Sequence, residues 1–152
     1  MSALDINHVA LEVAGREILH NFSLKIPDGE IHALVGKNGA GKSSLAKAVA
    51  GCPGYNIIDG EIIFNGKNIV GMSPDEISRE GFFLAFQNPI EVPGVSVANF
   101  IRAALQARME PGKSFNAIEF YNRLYQHLDM LNMDRGFTGR SLNDGFSTPH
   151  QS

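Results

Sequence analysis

Gly36-Lys37-Asn38-Gly39-Ala40-Gly41-Lys42-Ser43 is the stretch on which the reading of this chain turns. It fits G-x-x-x-x-G-K-[ST], the spacing of a phosphate-binding loop. Glycines at these positions let the backbone adopt conformations a side chain would block, so successive N–H groups can point at phosphate oxygens. A helix that follows directs its positive N-terminal end at the same oxygens. The lysine reaches the β- and γ-phosphates and the serine hydroxyl ligates Mg²⁺. A glycine-rich turn that binds nothing is the alternative, and the flanks decide between them. Ile31-His32-Ala33-Leu34-Val35 predicts a buried strand before the loop. Leu45 to Ala50 predicts a helix after it, stopped at Gly51 and Pro53. Strand, loop and helix in that order favour the phosphate site.

Outward from the loop, Val9, Leu11 and Val13 alternate as in a half-buried strand, and Phe22, Leu24 and Ile26 repeat the pattern past a turn at Gly15. Ile62-Ile63-Phe64 and Ile69-Val70 flank Asn65-Gly66, a hairpin signal. Ser73-Pro74-Asp75-Glu76 carries a cap, a first-turn proline and a capping-box glutamate. Phe82 to Phe86 predicts another strand. Ser96 to Met109 and Ser114 to Met133 predict two helices broken at Pro111-Gly112, the second with Ile118, Tyr121, Leu124, Leu128 and Leu131 on one face.

The 152 residues are 43% hydrophobic and 19% charged, enough apolar matter for a core and too much for general disorder. A net charge of −3 gives no electrostatic footprint for nucleic acid. One cysteine, Cys52, excludes an internal disulfide framework and suits a reducing compartment. Met1 to Asn7 holds no apolar run, so no secretory signal is expected, and no apolar stretch approaches a bilayer span. A cytoplasmic protein is expected. The histidines lack metal-ligand spacing. Gln87, after the Phe82–Phe86 run, reads either as a ligand near a γ-phosphate or as a strand-end amide.

The first hairpin, "LVGKNGAGKSSLAKAVAG", "GEIIFNGKNI" and the glutamine of "FFLAFQNP" together resemble the ATP-binding cassette (ABC) ATPases in order and spacing. More narrowly, "AFQNPIEVPGVSVANFIRAAL" and "RSLNDGFS" resemble the SufC family, the soluble cassette ATPases of Suf iron–sulfur cluster assembly. The resemblance implies an α/β P-loop NTPase fold: an antiparallel β subdomain, part of the nucleotide core and a helical subdomain. It implies ATP and Mg²⁺ as cofactors, with Gly36, Lys37, Asn38, Gly39, Ala40, Gly41, Lys42, Ser43 and Ser44 around the phosphates. Lys42 and Gln87 would be catalytic, and Ser43 and Gln87 would be metal ligands. It implies SufB and SufD scaffold proteins as partners and a nucleotide-dependent homodimer, without nucleic acid or membrane insertion. A membrane transporter's cassette and a non-hydrolysing adaptor are the rival implications.

Two departures from the family pattern follow. Asn143-Asp144-Gly145-Phe146-Ser147 approaches the family's signature, which continues into two glycines, whereas Thr148-Pro149 stands here. Residues 1–147 are therefore expected to form an incomplete nucleotide-binding domain with a non-family tail at 148–152, and hydrolysis by these residues alone is not expected. His150 comes too soon for the family's switch histidine. The region that carries a base-stacking aromatic in many cassettes is Val13-Ala14-Gly15, so weak base recognition is expected.

Overall fold

The alternating run around Val9 and its repeat around Phe22 pair as an antiparallel hairpin, β1 (Ser2–Val13) and β2 (Arg16–Pro27). Ala14 and Gly15 turn the corner with φ of 51° and 75°, the left-handed pair that matches the twist of the flanking strands. Residues 2–87, 89–110 and 112–144 are described by a computed structural model. They fall into two units, residues 1–84 and 85–152. The expectations placed on Pro111 and on residues 145–152, including Thr148-Pro149 and His150, lie outside the described residues.

In the first unit β3 (Tyr55–Phe64) adds to β1 and β4 (Lys67–Asn68) adds to β3, giving a four-stranded antiparallel sheet in the order β2-β1-β3-β4. Asn65 and Gly66, at φ 49° and 82°, make the expected tight turn. β3 begins seven residues before Ile62, further back than alternation foretells. β1 slips register against both neighbours around His8. His8 sits at φ 51°, its N–H donating to Ser23 Oγ (3.0 Å) and its Nδ1 2.7 Å from Asn21 Oδ1. This bulge brings Ile6 and Val9, three apart in sequence, onto one face, where they are 2% and 0% exposed. Gly60 is the residue that permits it. At φ 85° it lies against the kink, and a Cβ there would stand 2.5 Å from the Asn7 carbonyl oxygen.

Helix α1 (Lys42–Val49) packs Leu45 and Val49 against Ile6, Val9, Ile62, Ile69 and Ile77. Burying each such side chain contributes about 1.5–3 kcal/mol. Helix α2 (Pro74–Arg79) carries Ile77 into that core. It starts at the expected capping box: the Ser73 N–H and hydroxyl both donate to Glu76 Oε2, each at 2.8 Å.

Two expected strands do not form. Ile31–Val35 and Phe82–Phe86 have no ladder partner among the described residues, and an unpaired run exposes what a sheet would cover. Ile31 is fully exposed, Val35 86% and Phe83 84%. Apolar composition identified these runs, but only a neighbouring strand makes a strand of them.

In the second unit β5 (Val92–Ser96) pairs antiparallel with β6 (Ser141–Leu142), neither of which the sequence announced. Helix α3 (Val97–Ala107) is capped by Ser96, whose Oγ accepts from Asn99 N–H at 3.2 Å. Helix α4 (Ala117–Met130) is capped by Asn116, whose Oδ1 accepts from Ile118 and Glu119 N–H. A short 3₁₀ helix, Arg135–Gly139, follows. The expected stripe on α4 needs correction: Phe120 and Leu128 are buried, while Ile118 and Leu131 are exposed. At about 100° per residue, Ile118 lies roughly 120° from the centre of the Phe120–Leu128 face. Leu131 is the C-cap, past the last helical residue.

Candidate functional site

Gly41 anchors the site. It caps α1 in the left-handed conformation, φ 87°. A Cβ on it would lie 2.9 Å from Leu19 Cδ2 and 3.0 Å from Ile18 Cγ2. Those two side chains are adjacent in sequence yet reach the same glycine because β2 is bulged there. Leu11 pairs with Leu19 and Glu12 with Glu17, leaving Ile18 as the extra residue. The hairpin thus presses on the loop at the point where the helix begins.

Lys42, the first helical residue, turns back over the loop. Its Nζ donates to the carbonyls of Gly36 (2.7 Å) and Lys37 (2.8 Å). Charge-assisted bonds of this kind are roughly twice as strong as neutral ones. Ala40 N–H also donates to Lys37 O at 3.2 Å, closing a turn through Asn38 and Gly39. Leu45 N–H donates to Gly41 O at 2.8 Å, the first intrahelical bond. The N–H groups of Lys42, Ser43 and Ser44 therefore precede the hydrogen-bonded ladder and are open to an anion. No acidic side chain occupies this first turn to compete for them. Ser43 is exposed and Ser44 half-buried. A cleft of about 150 Å³ beside the loop is walled by Leu19, Phe22 and Val35.

The residues expected at the phosphates, Gly36 to Ser44, are thus one continuous element. The helix after it forms as expected; the segment before it has no ladder partner among the described residues. Gln87 belongs to the second unit, where it is exposed in a bend. Ile18 and Leu19 were not picked out from the sequence. Their signal is a doubled apolar pair inside an otherwise alternating strand.

This arrangement can hold a polyphosphate: an ammonium, a set of free N–H groups, a helix dipole and a hydroxyl for a cation converge on exposed backbone. The chain is 44% identical over 146 residues to the probable ATP-dependent transporter ycf16 of Pyropia yezoensis, covering 95% of this chain and 58% of that protein. It is 40% identical over 146 residues to vegetative protein 296 of Bacillus subtilis (strain 168), covering 96% and 56%. It spans little more than half the length of these relatives. Its fold matches a dimeric bacterial ABC transporter cassette with a TM-score of 0.75 at 18% identity, over 93% of this chain and 62% of that one. The ABC transporter family model matches residues 19–147. With the P-loop in place and most of its length so matched, the chain belongs to the ABC transporter family.

Proposed function

We propose that this chain is the nucleotide-binding portion of a SufC-like cassette ATPase, which binds Mg-ATP and acts with a SufB–SufD scaffold in iron–sulfur cluster assembly. The observation that carries the nucleotide reading is the Lys42 ammonium, held over the loop by the Gly36 and Lys37 carbonyls. An incoming phosphate offers it a charged acceptor in place of two neutral ones. The donor set fits the group: free N–H groups at Lys42 to Ser44 for the phosphate oxygens, and the exposed Ser43 hydroxyl for Mg²⁺, with Gln87 as the second proposed ligand. Bound Mg²⁺ supplies charge neutralisation between the phosphates. The chain's own residues bind and position; Lys42 is the catalytic residue we assign from this unit. Nucleotide-dependent pairing of two copies and a cytoplasmic location complete the proposal.

Titration of the 152-residue chain with a fluorescent ATP analogue tests the reading. A lost charged contact of about 1.5–3 kcal/mol weakens binding about 10- to 150-fold in Lys42→Ala. Equal affinity in the variant removes the P-loop from the proposal. The Suf assignment rests on the segment after Gln87, where Val92 stands exposed on β5. Val92→Asp should abolish co-purification with SufB–SufD and leave nucleotide binding intact. The relatives named as transporters favour a second reading, a transporter's cassette. Co-purification with a membrane protein instead of the scaffold would select it.

A further inference from the structure

One end of the sheet carries a row of three side chains. Val13, the last residue of β1, is opposed by Arg16 on β2 and by Tyr55 on β3, and directly opposed residues of antiparallel strands project to the same face. That face is the one the P-loop touches. Leu11, two residues before Val13 and on its side of the strand, is paired with Leu19, whose side chain abuts Gly41. A separate contact agrees. Lys47 lies on α1 one turn beyond Ser43, so the two share a helix side. Its Nζ donates to the Tyr55 hydroxyl at 3.0 Å and stands 5.0 Å from the ring centroid. Tyr55 is thus tied to the helix that opens with the P-loop.

The distances suit a nucleotide. From Leu19 to Tyr55 is two strand spacings across and two residues along the sheet, or about 12 Å. A ribose and base hung from phosphates at the loop have a reach of that order. Val13-Ala14-Gly15 brings no ring of its own, which leaves the base without a partner at the hairpin tip. Tyr55, half-buried and fixed by Lys47, is the aromatic that the same sheet face provides, and the Arg16 guanidinium offers a second plane across Val13.

We propose that Tyr55, flanked by Val13 and Arg16, is the base-stacking platform for the nucleotide held at the P-loop. This rests on the nucleotide reading of that loop and adds a base contact to the weak base recognition expected from the hairpin tip. Stacking uses the face of a base and not its edge, so the platform accepts ATP and GTP alike while adding affinity beyond the phosphates.

The test is calorimetric binding of Mg-ATP, Mg-GTP and Mg-tripolyphosphate to the 152-residue chain and its variants. Tyr55→Ala should bind ATP and GTP about tenfold more weakly, the scale of one lost base–aromatic stack, with tripolyphosphate affinity unchanged. Tyr55→Phe should stay within about twofold of the parent, because the ring remains. Tyr55→Val, which keeps a strand-favouring side chain, should match Tyr55→Ala and covers a folding failure of the alanine variant. Unchanged ATP affinity in both ringless variants, or an equal fall for ATP and tripolyphosphate, overturns the platform. Loss of tripolyphosphate binding by the parent chain, or its persistence in Lys42→Ala, overturns the P-loop reading instead.

Discussion

Gly41→Ala isolates the contact between hairpin and loop, and Gly39→Ala is its internal reference. Both glycines are left-handed, at φ 87° and 84°. An L-residue in that conformation costs about 1–2 kcal/mol. The surroundings differ: a Cβ at Gly39 meets nothing within 4 Å, whereas one at Gly41 meets Leu19 Cδ2 at 2.9 Å, Ile18 Cγ2 at 3.0 Å and Leu19 Cγ at 3.2 Å. Overpacking a fitted site costs typically about 1–3 kcal/mol more. Gly39→Ala should therefore destabilise the first unit by about 1–2 kcal/mol and Gly41→Ala by about 2–5 kcal/mol. Urea unfolding without nucleotide, followed by circular dichroism, reads the difference as a shift in midpoint at constant slope. A fluorescent ATP analogue then reports whether moving the helix start weakens binding further in Gly41→Ala. Equal midpoints for the two variants would refute the reasoning, because the hairpin would then not constrain the loop.

Three further outcomes are expected. The Ser73 N–H and hydroxyl hold the Glu76 carboxyl below its ordinary value of 4.5, so its contribution to stability is present above that pH and lost as the pH falls through the carboxylate range. Glu76→Gln should show a smaller drop in urea midpoint on acidification than the parent, and identical drops would remove the capping box as the cause. Arg135, through a hydrogen bond to Asp129 and its charge, lowers that carboxyl in the same sense; Arg135→Gln should likewise flatten the acid response of the second unit, measured by amide exchange near α4. Finally, the 152-residue polypeptide should release phosphate from ATP no faster than Lys42→Ala. Orienting the attacking water calls for a further group, and among the described residues the side chains around the cleft beside the loop include no carboxylate. Turnover clearly above that control would contradict it.

The parts of this fold legible in the sequence are those whose physics is local. Ser73 and Glu76 satisfy each other across one helical turn, and Asn65-Gly66 fixes a turn with two residues, so pattern and structure coincide there. The P-loop belongs with them, since its glycines, Lys42 and the helix start lie within eight consecutive residues. What was not legible needs a partner far along the chain. Ile31–Val35 has the composition of a strand but no ladder among the described residues, and β5 was hidden until Val92 met Leu142 fifty residues on. Gly60 carries no local signal in the sequence, and its role is to leave the space into which the His8 bulge fits.

The same distinction explains why Tyr55 is not legible in the sequence as a partner for the base. The hairpin tip itself carries only Val13, Ala14 and Gly15. Pairing depends on register, and two opposite slips of β1 against β3, one at the His8 bulge and one between Ala10 and Leu11, cancel, so Val13 meets Tyr55 in the register that Leu4 keeps with Phe64. Either slip alone would leave β3 one residue out of step with β1, and Val13 would not face Tyr55. A ring forty-two positions away in the sequence thus stands beside the tip because the slip at the His8 bulge is undone before the hairpin ends. The base platform and the bulge are therefore coupled: Gly60→Val, which fills the space against the Asn7 carbonyl, should upset that compensation and cost nucleotide affinity beyond tripolyphosphate affinity, although residue 60 lies five residues along β3 from Tyr55. Equal losses for both ligands would place its effect on stability alone.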